Sequence, residues 1–115
     1  MGLQRGAQIW LCRTMTQAER RCTLTHELVH RERGLVPADP AAAEREERIV
    51  DEISARRLIT TPALVDGLRW TRHRGELADH LWVDTPTLET RMATLDPLEV
   101  AELEHHLEDG WLWIP

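Results

Sequence analysis

The sequence of 115 residues predicts an α+β fold in which most of the chain is helical. Signals for the start of a helix recur along the chain. Each is a Thr or Asp that is followed directly by Pro, or by Glu three residues later, and they occur at Thr16, Asp39, Thr61 and Asp96. Residues 8–13 (QIWLCR) form a β-prone run that is too short for a helix. A short strand is not stable alone, so it should pair with another strand or pack on the next helix. With 42% hydrophobic residues and no Phe or Tyr, the core should be aliphatic with Trp.

The first predicted helix begins at Thr16, ends at Gly34 and carries the sequence HELVH. His26 and His30 are separated by one helical turn, so both imidazoles can reach one metal ion. Glu27 is rotated by about 100° from His26 and can hold a water beside that ion. Apolar residues surround most of this helix, which predicts a central position. The alternative interpretation is an amphipathic surface helix with two histidines and an exposed glutamate.

The second predicted helix begins at Asp39 and runs to about residue 59. Helical spacing gives a solvated arc of Arg45, Arg48, Glu52 and Arg56, and an inward arc of Glu47, Asp51, Ser54 and Leu58 flanked by Val50 and Ala55. A catalytic zinc site requires three protein ligands and one open position. We therefore predict Glu47 as the third ligand, with Asp51 or Glu44 as alternatives. Otherwise Glu47 belongs to a solvated acidic cluster with Glu44 and Glu46.

The remainder of the chain predicts further helices, beginning near residues 61, 76, 85 and 97, and an apolar tail at 111–115 that requires burial. We divide the chain into a core of residues 1–62 and a helical segment of residues 63–115 that packs on it. His73 lies in a polar break between two helices, where it is either a plain loop residue or an oxyanion stabiliser. The remaining downstream histidines are interpreted as surface or structural residues: His80, His105 and His106.

The charge balance argues against nucleic-acid binding. The formal net charge is −6, whereas phosphate contacts require positive charge. Residues 76–95 have the spacing of a helix-turn-helix but no basic excess, so we interpret them as a packing unit or a partner-docking surface. No apolar run is long enough to span a bilayer. Cys12 and Cys22 form no CxxC pair and nothing marks export, so reduced thiols and a cytoplasmic location are expected.

Three stretches of the sequence resemble, in this order, the ImmA/IrrE family of zinc metallo-endopeptidases: RRCTLTHELVH, the acidic EREERIVDEISARRLI with Pro62 after it, and ELADHLWVDTPTLETRMATL. The resemblance covers roughly residues 8–95 and is strongest to small versions from actinobacterial phages and mobile elements. It implies a minimal zincin-like fold with an HExxH helix, an acidic ligand helix, a short N-terminal strand and a C-terminal helical bundle. His26, His30 and Glu47 would bind Zn²⁺, and Glu27 would be the general base.

The one-turn spacing of Glu47 and Asp51 also resembles thermolysin-like zinc peptidases, the gluzincins. That resemblance implies that Asp51 accepts a hydrogen bond from His26 and orients its ring. The expected activity is hydrolysis of a partner protein, a phage or mobile-element transcriptional repressor, with the strand of residues 8–13 pairing with the extended substrate. A non-catalytic repressor-binding module of the same fold is the alternative, and a DNA-binding regulator is a third hypothesis.

Overall fold

The computed structural model describes residues 2–5, 8–11 and 15–107. Six α-helices occupy residues 15–107: α1 (Gln17–Arg33), α2 (Pro40–Leu58), α3 (Thr61–Trp70), α4 (Arg74–Leu81), α5 (Thr85–Ala93) and α6 (Pro97–His106). Ahead of them, β1 (Gly2–Arg5) and β2 (Gln8–Leu11) pair antiparallel, with Leu3 opposite Trp10. The burial predicted for the tail at 111–115 lies outside the described residues.

The capping signals at Thr16, Asp39 and Asp96 correctly locate the starts of α1, α2 and α6, whereas Thr60 rather than Thr61 caps α3. At α1 both halves of the predicted box are present, since Thr16 Oγ1 accepts from the Glu19 N–H at 3.1 Å and Glu19 accepts from the Thr16 N–H at 2.9 Å. Asp39 caps α2 by accepting from the Ala42 N–H at 2.9 Å. Gly34 ends α1 with φ of 98°, a conformation that glycine adopts without steric cost.

The predicted α+β class is wrong. Residues 15–107 are all-α, with 78% of them in the six helices and none in a strand. The only strands among the described residues are the two four-residue strands of the N-terminal hairpin, β1 and β2. A two-stranded ribbon of this length is not a sheet layer around which a domain can be built. The fold is therefore held together by packing between helices, and the α+β class expected of a zincin-like core does not describe residues 15–107.

The core is aliphatic. Its largest fully buried side chains lie on the end of α2 and on the helices that follow: Ile59, Leu64, Leu77, Leu88 and Leu103. Cys22 of α1 joins the same cluster, so the cluster includes residues on both sides of position 62. The expected contribution of Trp is not seen in the described helices, since Trp70 and Trp82 are 61% and 64% exposed.

A buried ion pair connects the C-terminal helices to the end of α2. Arg91 of α5 is 2% exposed and donates to the carboxylate of Glu99 and, at 2.8 Å, to the Ile59 carbonyl. Glu99 also accepts from Arg56 at 2.9 Å and from the Thr61 hydroxyl at 3.0 Å. The Arg91 guanidinium holds the pKa of Glu99 well below its usual range. Arg91 is thus a structural residue, and α5 does not present it on a surface.

Candidate metal centre

The HELVH segment lies in the middle of α1, which packs against α2 and against the hairpin. His26 and His30 are one turn apart, and their ring centroids are 4.8 Å apart in an edge-to-face arrangement. Both side chains are largely buried, with 27% and 16% exposure. The two imidazoles therefore face the neighbouring helix, but the predicted central position of α1 is wrong: only Cys22 and Val29 of this helix are buried, and Leu24 and Leu28 are 40% and 42% exposed.

Helix α2 places the carboxylate of Glu47 between these two rings. Glu47 Oε1 is 2.7 Å from His26 Nε2, and Oε2 is 3.0 Å from His30 Nε2. One ligand atom from each of the three residues lies within 4.8 Å of the other two. The structure thus brings together the three residues named from the sequence as metal ligands.

The acidic neighbours of Glu47 have other partners. Glu44, the alternative ligand, is 74% exposed at its side chain and pairs with Arg48 along the same helix at 3.5 Å. Glu46 is held by Arg33, whose Nη2 donates to it at 2.9 Å. Neither of these carboxylates is part of the group formed by the two histidines and Glu47. Glu47 is therefore set apart from the solvated acidic cluster.

Asp51 contacts His26, but at a nitrogen that Glu47 also approaches. Asp51 Oδ1 is 3.0 Å from His26 Nε2, the atom that lies 2.7 Å from Glu47. Burial raises the pKa of the Asp51 carboxyl, the neighbouring His26 lowers it, and the charge of Glu47 raises it further. The other ring nitrogen, Nδ1, is 3.8 Å from Glu27. A nitrogen that binds a metal cannot also donate to Asp51, so Asp51 lies on the ligand side of the ring.

The donor set fits a zinc ion. Two imidazole nitrogens and a carboxylate oxygen are the ligands of many catalytic zinc sites. Ligands at zinc distances of about 2.0–2.2 Å in a tetrahedron lie roughly 3.3 Å from one another. His26 Nε2 and His30 Nε2 lie 2.7 and 3.0 Å from different oxygens of Glu47, closer than that spacing, and one donor atom of each residue lies within 4.8 Å of the other two. Small side-chain rotations would therefore allow His26, His30 and Glu47 to bind one ion.

Two cavities meet at Glu27. One, the α5-side cavity, has a volume of about 410 Å³ and lies between α1, α2 and the start of α5. His26, Glu27 and Asp51 line one part of it, and Asp84, Thr87 and Thr90 line another. The other, the loop-side cavity, has about 640 Å³ and is lined by Glu27, His30, Glu47 and the residues after α1. The glutamate of the motif is thus next to the ligand group and reachable from both sides.

The structure gives His73 a capping role. It is the N-cap of α4, and its Nδ1 accepts from the Glu76 N–H at 3.2 Å. Its side chain is 70% exposed, and it lines neither the α5-side nor the loop-side cavity. His80 stacks on Trp70 with ring centroids 5.4 Å apart and lies 3.5 Å from Asp66. These contacts give both histidines roles away from the metal-ligand group.

Sequence reasoning missed the part that α5 plays in the site. The sequence predicts a helix that begins near residue 85, but it assigns no role to Asp84, Thr87 or Thr90, which line the α5-side cavity. The Asp-Thr-Pro sequence signals a helix start, and Asp84 does cap α5, accepting from the Thr87 N–H at 3.0 Å. No local signal shows that this helix start lies beside the HELVH helix, since the contact is made across more than 50 residues of chain.

Comparison with known proteins gave no match, whether to family models, curated sequences or solved structures.

No helix in the described part of the chain has both the length and the apolar character needed to cross a membrane.

Proposed function

We propose that this protein is a zinc-dependent endopeptidase that hydrolyses a peptide bond of a partner protein in the cytoplasm. The observation that carries the proposal is the position of the Glu47 carboxylate, within 3.0 Å of both histidines of an HExxH helix. The resemblance to ImmA/IrrE peptidases supports a phage or mobile-element transcriptional repressor as the substrate. The buried free thiol of Cys22 is consistent with a reducing compartment.

Each residue of the centre has a definite role in this proposal. Zinc bound by His26, His30 and Glu47 would lower the pKa of a water to about 7 and polarise the scissile carbonyl. Glu27 takes a proton from the attacking water as its oxygen bonds to the carbonyl carbon. Glu27 then gives that proton to the amide nitrogen as the carbon–nitrogen bond breaks, so that one water is consumed and an acid and an amine are formed. Its place between the two cavities lets the substrate chain extend on both sides.

The first test is metal content. We expect the purified full-length protein to retain about one zinc per chain. Glu47→Ala should lose most of it, since only the two histidines remain as ligands of the proposed three. Glu44→Ala is the matched control, because it removes an exposed carboxylate one turn earlier on the same helix. Measurement is by inductively coupled plasma mass spectrometry after dialysis. Equal zinc in Glu47→Ala and Glu44→Ala would remove Glu47 from the ligand set.

The second test is proteolysis by the full-length protein. A peptide library prepared from a bacterial proteome is incubated with zinc-loaded protein, and new termini are identified by mass spectrometry. Wild type should cleave, whereas Glu27→Gln should retain zinc and lose cleavage by a factor of at least about 100, since general acid–base catalysis contributes that much. Cleavage by Glu27→Gln at the wild-type rate would refute the catalytic role of Glu27.

One observation favours a second candidate, a non-catalytic binding module with a structural metal. Asp51 Oδ1 lies 3.0 Å from the same His26 Nε2 that faces Glu47, so Asp51 would become a fourth protein ligand if its side chain rotated into the group formed by His26, His30 and Glu47. Structural zinc sites are closed by four protein ligands, whereas catalytic sites keep one position open. Asp51→Asn distinguishes the two. Loss of zinc from this variant, together with absence of cleavage by wild type, would favour the binding module.

A further inference from the structure

We propose that the α5-side cavity binds an arginine or lysine side chain of the substrate, next to the bond that is cleaved. This inference rests on the proposed function, because it assigns a substrate class to the same site. The cavity has a volume of about 410 Å³, within the range of roughly 300–1,000 Å³ that is usual for small-molecule sites. His26 and Glu27 form part of its wall, so a side chain in the cavity belongs to a residue adjacent to the scissile bond.

The charges that line the cavity have one sign. Glu27, Asp51 and Asp84 contribute three carboxylates, and no Arg or Lys is among the lining residues. Binding of zinc would offset part of this negative charge near Glu27 and Asp51. Asp84 belongs to the start of α5, which carries none of the proposed ligands, so its charge is independent of the metal. A cationic side chain is favoured by this wall, and an acidic one is repelled.

An unsatisfied hydroxyl gives a second, independent reason to expect a polar ligand. Ser54 lines the cavity, is only 5% exposed, and its Oγ is buried without a hydrogen-bond partner among the described residues. A buried polar atom without a partner costs free energy, and a ligand whose binding opens the wall enough to reach Ser54 Oγ recovers part of it. Thr23, Thr87 and Thr90 also line the cavity, and the Thr87 hydroxyl donates to the Asp84 carboxylate. A guanidinium has five N–H donors, which suits a wall of carboxylates and hydroxyls.

The test compares arginine with citrulline, which has nearly the same shape but no charge. Three pentapeptides, acetyl-Ala-Ala-Xaa-Ala-Ala-amide with Xaa as Arg, citrulline or Glu, are titrated into the zinc-loaded Glu27→Gln protein. Affinity is measured from amide chemical shifts, with Ser54, Thr87 and Thr90 as reporters. We expect the Arg peptide to bind about tenfold more tightly than the citrulline peptide, with the largest shifts at these reporters. Equal affinities, or shifts confined to other residues, would overturn the proposal.

Asp84→Asn is the decisive variant, because Asn is as good an N-cap as Asp and only the charge changes. The preference for Arg over citrulline should fall to about twofold or less. The control is Asp96→Asn, which makes the same change at the N-cap of α6. Asp96 does not line the cavity, so this variant should retain the full preference for Arg over citrulline. An unchanged preference in Asp84→Asn, or an equal loss in both variants, would argue against a cationic subsite.

Failure of this inference is distinguishable from failure of the proposed function. If the peptide library is cleaved without enrichment of Arg or Lys beside the new termini, the subsite assignment is wrong and the peptidase stands. If nothing is cleaved but the Arg peptide binds at the reporters and loses its preference in Asp84→Asn, the cationic site stands without the chemistry.

Discussion

Replacing Glu99 with alanine is expected to destabilise the fold by about 3–5 kcal/mol, because it leaves the buried guanidinium of Arg91 without its counter-charge. The two side chains are only 12% and 3% exposed, so the Arg91 guanidinium stays largely shielded from bulk water when the carboxylate is removed. Glu99 also accepts from Arg56 and Thr61, and those donors lose their partner in the same variant. This cost is a large fraction of the about 5–15 kcal/mol that stabilises a typical domain.

The assay is urea and thermal unfolding, followed by far-ultraviolet circular dichroism. At about 4 °C or more per kcal/mol for a domain of this size, Tm should fall by at least about 12 °C. Glu32→Ala is the control, since Glu32 pairs with Arg57 at the surface and both side chains are about half exposed. Such a pair contributes less than about 1 kcal/mol. A loss in Glu99→Ala no larger than in this control would refute the reasoning.

A double replacement separates the missing counter-charge from simple loss of packing. In Arg91→Met with Glu99→Leu, apolar side chains of similar size replace both charges, and no ion is left buried alone. We expect this double variant to be more stable than Glu99→Ala by about 2 kcal/mol or more. If it is less stable than Glu99→Ala, the packing of this region matters more than its electrostatics.

Three further outcomes follow from the described contacts. The pKa of Glu99 is depressed in the folded protein, so the ionised carboxylate contributes its full stabilisation above the unfolded pKa of about 4.5, and this stabilisation is lost as the pH falls below that value. In urea titrations between pH 5 and 3, wild type should therefore lose stability more steeply than Glu99→Gln. Gly67→Ala should cost about 1–3 kcal/mol of unfolding free energy in urea, because the added Cβ would lie 2.6 Å from Leu77 Cδ1. Burial raises the pKa of the Cys22 thiol, which lowers the fraction of reactive thiolate at pH 8. Iodoacetamide should therefore modify Cys22 at least about tenfold more slowly in the native protein than in urea, as measured by peptide mass mapping.

The helices could be predicted from the sequence because their start signals are local. Thr16 and Asp39 each accept from the backbone three residues later, so the evidence for a helix start lies within one turn of chain. The fold class could not be inferred in the same way. The β-prone run at residues 8–13 indicates a strand but does not indicate the size of the sheet that the strand joins. In the structure its partner is a single strand of four residues, β1.

The candidate site was predictable in part for a similar reason. Spacing along α1 and α2 places His26, His30 and Glu47 on faces that meet, and the structure brings them together. The Glu47 side chain is 48% exposed, so the arc predicted to face inward lies at the edge of the helix contact. Spacing does not fix ring rotation, so the approach of Asp51 to Nε2 could not be foreseen. Nor could the burial of Arg91, since a lone arginine in a polar helix usually lies at the surface.

The position of α5 beside the HELVH helix has a consequence for how such a protein can diverge. Asp84, Thr87 and Thr90 line the cavity, and none of them is one of the three proposed metal ligands. Substitutions at these positions can alter which side chains the cavity accepts while His26, His30 and Glu47 stay the same. Under the proposed function, a lineage can therefore follow a changing target protein by mutating one short helix, without any change in the proposed metal ligands.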